Sequence, residues 1–197
     1  MEAIQLARGQ ASSAFGARTA ADLRAEVGDF LGVQLPATDI ISFDVAGGAV
    51  QGFDEVAIGQ LLRERPPFFR IGRAVALGED RLLGVTTVTE EHCDGHFPGT
   101  SIVPLIEMCK MAAQTGVLLI ALSAPPDHVP IAVGSKESKA ESRNFIRPPA
   151  TLLIEAKRMN QTMGLSHVDC RMFLSGTHVA TLKKVLYMSI PENRLDA

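Results

Sequence analysis

Aromatic side chains are scarce in this chain of 197 residues, which has no tryptophan and a single tyrosine. A surface that stacks bases needs aromatic faces, and a net charge of −3 offers no basic field for a polyanion. Nucleic acid is therefore not expected as a partner. Cysteine is equally sparse: Cys93, Cys109 and Cys170 are odd in number and far apart. That pattern gives no disulfide framework and fits reduced thiols in a cytoplasmic setting. No apolar run near the N-terminus suits a signal peptide or a membrane span. Internal repeats and low-complexity arrays are missing too. What remains is a chain 46% hydrophobic, enough to bury the core of one domain.

Its most informative stretch joins a histidine loop, Gly95-His96-Phe97-Pro98-Gly99, to an apolar run from Leu105 to Ile120. Pro104 suits the first helical position, where its missing N–H has no intrahelical partner to lose. The apolar residues after it lie almost all round the helix, so burial on most sides is expected. Read from Leu105 to Ile120, it is too short and too interrupted by charge to cross a bilayer. Glu107, Lys110 and Gln114, spaced by three and four, form one polar stripe along it.

In chain order, Met1 to Arg18 reads as a frayed tail. Thr19 then opens a helix to Leu31, with Leu23, Val27, Phe30 and Leu31 at helical spacing and Gly32 as its stop. A short strand is expected near Ile40 to Val45, and a short amphipathic helix over Glu55 to Leu62. Alternation predicts strands over Phe69–Val75 and Leu82–Thr89. After the central helix come a strand at Pro130–Val133, a polar stretch at Ser135–Ser142, and long strands at Thr151–Arg158, Ser166–Phe173 and His178–Ile190. Met163-Gly164 and Ser175-Gly176 supply the turns. This order implies an α+β fold, an antiparallel sheet wrapped around one long buried helix. Residues 1–53 read as an N-terminal extension, 54–190 as the main domain and 191–197 as a tail.

At the central stretch the sequence resembles the hot-dog-fold 3-hydroxyacyl-acyl-carrier-protein dehydratases. Their signature runs G-H-F-P-x-x-P-V-M-P-G, then four residues, a catalytic Glu or Asp, and a Gln four residues later. Gly95, His96, Phe97, Pro98, Pro104 and Gln114 fall in register without a gap. Ser101 and Val103 replace the first proline and the methionine, Leu105 replaces the glycine, and Lys110 stands where the family has its carboxylate. The resemblance extends from Asp54 nearly to the C-terminus: Arg65-Pro66-Pro67-Phe68-Phe69 is similar to the family's H-R-Y-P-F, and Phe145-Ile146-Arg147-Pro148 to its F-K-R-P. The N-terminal extension has no counterpart in the minimal family pattern.

The resemblance implies a hydro-lyase of fatty-acid or polyketide-type biosynthesis. It implies no cofactor beyond the phosphopantetheine of acyl carrier protein or coenzyme A that carries the substrate. It also implies paired subunits, either a homodimer or a heterodimer with a related hot-dog chain. Dehydration needs a base for the proton beside the carbonyl, and a histidine titrating near neutrality serves, so His96 is the expected base. Phe97, Pro98, Pro104 and the amides of Leu105 and Ile106 would line the thioester, with Gln114 deeper in the helix. Arg143 and Arg147, beside Lys136 and Lys139, would meet the phosphopantetheine or an acidic carrier face; a solvated charged loop is the plainer reading.

Lys110 cannot simply inherit a carboxylate's role, and a buried lysine needs a partner. Glu107 is that partner by spacing, and deputises for the carboxylate only across a displacement of about 4.5 Å along the helix. Three alternatives stand beside dehydration: a catalytically depleted subunit that pairs with a Glu-bearing partner, a thioesterase or isomerase on the same scaffold, and a plain structural ion pair between Glu107 and Lys110. His92, Cys93, Asp94 and His96 crowd together, but their spacing fits no common zinc pattern, so no metal is expected.

Overall fold

A computed structural model describes residues 13–15, 19–43, 49–62, 69–96 and 99–194. Three helices and nine strands account for most of them: β1 (Ser13–Ala14), α1 (Ala20–Leu31), β2 (Val50–Phe53), α2 (Glu55–Leu61), β3 (Arg73–Leu77), β4 (Arg81–Val88), α3 (Leu105–Ser123), β5 (His128–Val133), β6 (Lys139–Ser142), β7 (Ala150–Thr162), β8 (Leu165–Leu174) and β9 (Thr177–Pro191). The strands make one sheet in the order β1-β2-β3-β4-β7-β8-β9-β5, with β6 also paired to β9. Every pairing is antiparallel. The sheet wraps around α3, which packs on β4, β5, β7, β8 and β9. This is the hot-dog arrangement.

α3 is 19 residues long, running past the expected stop at Ile120 to Ser123. By length and composition alone it would suffice to cross a membrane, but most of it is buried inside the protein. Its environment, not its length, makes it a core helix. Gly116 is needed there, because a Cβ would collide with the Tyr187 phenol, whose hydroxyl donates to the Ala113 carbonyl at 3.3 Å. β9 and α3 thus approach closely where a side chain is missing.

The opposite face of the sheet carries a second core. Leu23, Val27 and Leu31 of α1 share one helical stripe and pack with Val75, Leu83, Val85, Leu153 and Phe173. Thr19 caps α1 by accepting the Asp22 N–H at 3.1 Å, and Gly32 ends it at a φ of +69°, a left-handed turn that suits glycine. Beside this helix, Glu155 is only 2% exposed and both its oxygens are taken. Arg81 Nε donates to Oε1 at 2.7 Å and Arg171 Nε to Oε2 at 2.6 Å. The same guanidinium groups donate to the carbonyls of Ser42 and Ile40, each at 2.8 Å, fastening the N-terminal segment to the sheet.

Several expectations change. No strand forms over residues 40–43, because the N–H groups of Ile40 and Ile41 turn back to the Ala37 carbonyl; the rest of that stretch to Val45 lies outside the described residues. The strand of this region is β2, which pairs with β3. β3 starts at Arg73 and not at Phe69. Arg70 spends its backbone groups on side chains, its N–H donating to Gln114 Oε1 at 3.0 Å and its carbonyl accepting from the Thr86 hydroxyl. The expected frayed tail falls mostly outside the described residues, yet Ser13 and Ala14 pair with Gly52 and Gln51. The polar Ser135–Ser142 stretch contains an exposed strand, β6.

Candidate active site

The histidine loop follows β4. Glu90–Cys93 forms one turn of 3₁₀ helix, entered from Thr89. Gly95 then turns the chain at a φ of +76°, and the His96 N–H reaches back to the Cys93 carbonyl at 3.4 Å. Phe97 and Pro98, both expected to line the substrate, lie outside the described residues. Further along, the Val103 N–H donates to the Ile146 carbonyl at 2.9 Å, so the Phe145–Arg147 segment braces the entry to α3. Pro104 occupies the position just before the first helical residue, Leu105, one step outside the expected first turn.

From the first turns of α3, Glu107 points toward Lys110, Arg70 and His96. Lys110 Nζ donates to its Oε1 at 2.5 Å. His96 Nε2 lies 3.9 Å from the same oxygen, and an Arg70 guanidinium nitrogen lies 3.6 Å from Oε2. Sequence reasoning placed the burial penalty on Lys110, but the structure reverses it. The Lys110 side chain is 51% exposed while Glu107 is only 5% exposed. The long lysine stem reaches out to water and leaves the short carboxylate inside. No cost of burying an ammonium arises, and the group that needs compensation is Glu107. Its Oε2 is buried without a hydrogen bond.

Gln114, two turns on, is buried and holds the Arg70 backbone, so α3 grips Arg70 at both its amide and its guanidinium. Arg70 was not singled out in the sequence. The only local signal was a charged residue ahead of a strand, which ordinarily marks a solvated position. His92 was also passed over, except as part of a metal reading. It is 5% exposed, and burial, then the Arg70 charge, hold its pKa below the usual histidine value. Among the described residues no three His, Cys, Asp or Glu side chains converge as a metal ion would require. Burial raises the Cys93, Cys109 and Cys170 thiols above the usual range, which disfavours the thiolate form.

Leu105 is half-buried and Ile106 exposed in the first turn of α3, where the helix offers their N–H groups no acceptor. Arg143 and Arg147 are exposed, and Arg147 donates to the Ser101 carbonyl at 3.4 Å. A cavity of about 500 Å³ opens by Arg147, between Gly32–Gln34 and the outer sheet residues Leu153 and Phe173. His96, Glu107 and Lys110 do not line it.

The site can move protons. His96 is 38% exposed at its side chain, free to meet a ligand on its outer side. Glu107 can exchange hydrogen bonds between Lys110 and a bound group. The positive end of α3 is directed at the same region.

No family model matches the chain. Among curated proteins it is similar to the 3-hydroxyacyl-acyl-carrier-protein dehydratase FabZ of Desulforamulus reducens, with 35% identity over 115 residues, 56% of this chain and 80% of that protein. The FabZ of Brucella ovis is 26% identical over 149 residues, 74% of this chain and 95% of that protein. Two solved structures share the fold. A Streptococcus mutans protein bound to acetyl CoA superposes with a TM-score of 0.53 at 13% identity, covering 66% of this chain and 96% of that one. A Haemophilus influenzae thioesterase superposes with a TM-score of 0.50 at 10% identity, covering 89% of this chain and 93% of that one.

Proposed function

The chain belongs to the FabZ family of 3-hydroxyacyl-acyl-carrier-protein dehydratases, and from that premise we propose that it dehydrates 3-hydroxyacyl thioesters carried on acyl carrier protein or coenzyme A. The observation that carries this reading is a half-exposed imidazole 3.9 Å from a buried carboxylate at the start of the central helix. His96 Nε2 takes the proton from the carbon beside the thioester carbonyl. The amides of Leu105 and Ile106 face the carbonyl oxygen, where negative charge grows. Glu107, 3.9 Å from His96 Nε2 and held by the Lys110 ammonium, relays the abstracted proton to the departing hydroxyl. The products are the 2-enoyl thioester and water. Glu107 deputises here for the family's carboxylate, whose position Lys110 occupies.

Fatty-acid or polyketide-type assembly supplies such substrates. Arg143 and Arg147 are exposed and available to an acidic carrier. β5 stands at one end of the strand order, and a strand at a sheet edge has backbone groups available for pairing. A second copy or a related subunit would extend the sheet from that edge.

A second reading has its own support. Lys110 donates to Glu107 Oε1 at 2.5 Å, which suits a subunit that lends His96 to a carboxylate-bearing partner. Incubation of the purified protein with 3-hydroxyacyl-CoA and 3-hydroxyacyl carrier protein separates these. Enoyl thioester formed by the protein alone supports dehydration through Glu107. Activity that appears only on co-expression with a second dehydratase-like chain supports the depleted subunit, and a rise on Lys110→Glu points the same way. Free thiol release identifies a thioesterase, and double-bond migration an isomerase; either would displace dehydration.

A further inference from the structure

His92 has a ring with one end fixed and the other end empty. The Thr89 N–H donates to its Nδ1 at 3.0 Å, and the Thr89 hydroxyl lies 3.0 Å from the same atom. The Thr89 carbonyl also lies near Nδ1, at 3.2 Å, but the backbone N–H is closer and can only donate, so we take Nδ1 as the acceptor and place the proton of the neutral ring on Nε2. That Nε2 is buried and has no hydrogen-bond partner, in a residue only 5% exposed. Lone donors of this kind are rare and call for a ligand or a bound water. A second unpartnered buried atom lies in the same electrostatic neighbourhood, since the Glu107 charge acts on His92. Glu107 Oε2 is a buried acceptor without a hydrogen bond, its nearest cation the Arg70 guanidinium at 3.6 Å.

We propose that His92 is a further positioning residue of this site, and that its Nε2–H and Glu107 Oε2 together hold one hydroxyl oxygen, which accepts from the histidine and donates to the carboxylate. Only a group that is donor and acceptor at once satisfies both atoms. A carbonyl or a saturated carbon answers one or neither. Two sources carry that chemistry: a bound water, and the 3-hydroxyl of the substrate. The charges of Arg70, Glu107 and Glu91 all act on His92, and its burial favours the neutral, donating ring. The substrate form of the proposal rests on the dehydratase reading, whereas the water form does not.

Two measurements decide it. The first uses ligand-free protein labelled with ¹⁵N-histidine, in which the two-bond ¹H–¹⁵N pattern identifies the tautomer of His92. An Nε2–H tautomer whose proton exchanges slowly is expected; an Nδ1–H tautomer overturns the proposal. The second is calorimetric binding of a 3-hydroxyacyl-CoA against the saturated acyl-CoA of equal length, to wild type, His92→Phe and His92→Gln, with thermal melts to confirm folding. A preference for the hydroxylated ligand of about tenfold or more, lost in His92→Phe and partly restored in His92→Gln, assigns the oxygen to the substrate. Equal affinities, with a cross-peak from Nε2–H to a long-lived water that Glu107→Gln abolishes, assign it to water. A wild-type preference that survives in His92→Phe overturns the proposal, as does an Nε2–H with no bound oxygen in either state. Failure of wild type to bind either thioester would overturn the dehydratase reading, and the tautomer and water measurements still decide the role of His92.

Discussion

Among the described residues two carboxylates are buried, Glu155 and Glu107, and they are treated in opposite ways. Glu155 receives guanidinium groups on both oxygens at 2.6 and 2.7 Å, and those guanidinium groups in turn donate to backbone carbonyls of the N-terminal segment. Every lone pair that matters has an owner. Glu107 receives one close donor, from a lysine that reaches out to solvent, while His96 and Arg70 stand off at 3.9 and 3.6 Å. One of its oxygens is left open. A saturated carboxylate fixes geometry, and an under-coordinated one retains capacity for a ligand. The two clusters also sit on opposite faces of the sheet, Glu155 with the α1 core and Glu107 at the end of α3.

The contrast can be broken at either end. The largest effect is expected from Glu155→Ala, which leaves two guanidinium groups without their counter-charge and loosens the strap at Ile40 and Ser42. A loss of about 3 kcal/mol or more in unfolding free energy is expected in denaturant titration, since the removed partner is the buried one. Under the proposed reading, Glu107→Gln gives the reverse pattern, a loss of about 100-fold or more in turnover of the 3-hydroxyacyl thioester. Its melting temperature should stay close to wild type. Equal stability losses in the two variants would erase the distinction drawn here.

Smaller effects sharpen it. Lys110→Met takes the one close donor from a buried carboxylate and leaves Arg70 at 3.6 Å, so a loss of about 1–2 kcal/mol is expected in denaturant titration, smaller than that of Glu155→Ala. A larger change would show that Lys110 serves the core. The smallest effect concerns pH. Burial holds the pKa values of His92 and His178 below 6.5. Well above 6.5 both histidines are neutral in the folded and unfolded chain, and their contribution is fully present. As the pH falls below 6.5, the unfolded chain takes up protons that the folded one refuses, so stability declines until the folded pKa values are reached. Unfolding measured through that window should show the decline, and His92→Phe should flatten part of it.

Much of the architecture was legible because it rests on local periodicity. α1 was read from Leu23, Val27 and Leu31, and the structure places all three in the second core. The strands β7, β8 and β9 followed from alternation, with β8 buried at nearly every second residue. The failures fall where side chains replaced a backbone ladder. Residues 69–72 alternate like a strand, but Gln114 and Thr86 take the Arg70 backbone groups, and these partners are remote in sequence. Ile40 and Ile41 are apolar enough for a strand, but their amides close a turn on Ala37. β2 carries Gly52 in a segment of four residues, too little for alternation to reveal.

At the candidate site the division is sharper. The spacing of Glu107, Lys110 and Gln114 determined that they share one side of a helix, since 3.6 residues per turn admits nothing else. The gapless run from Gly95 to Gln114 likewise tied the histidine loop to that helix. Which member of the Glu107–Lys110 pair is buried was decided by the sheet that wraps α3, because burial depends on what lies opposite a helix face. Only that wrapping brings Arg70 and His92 alongside Glu107, from segments whose local patterns carry no trace of the meeting.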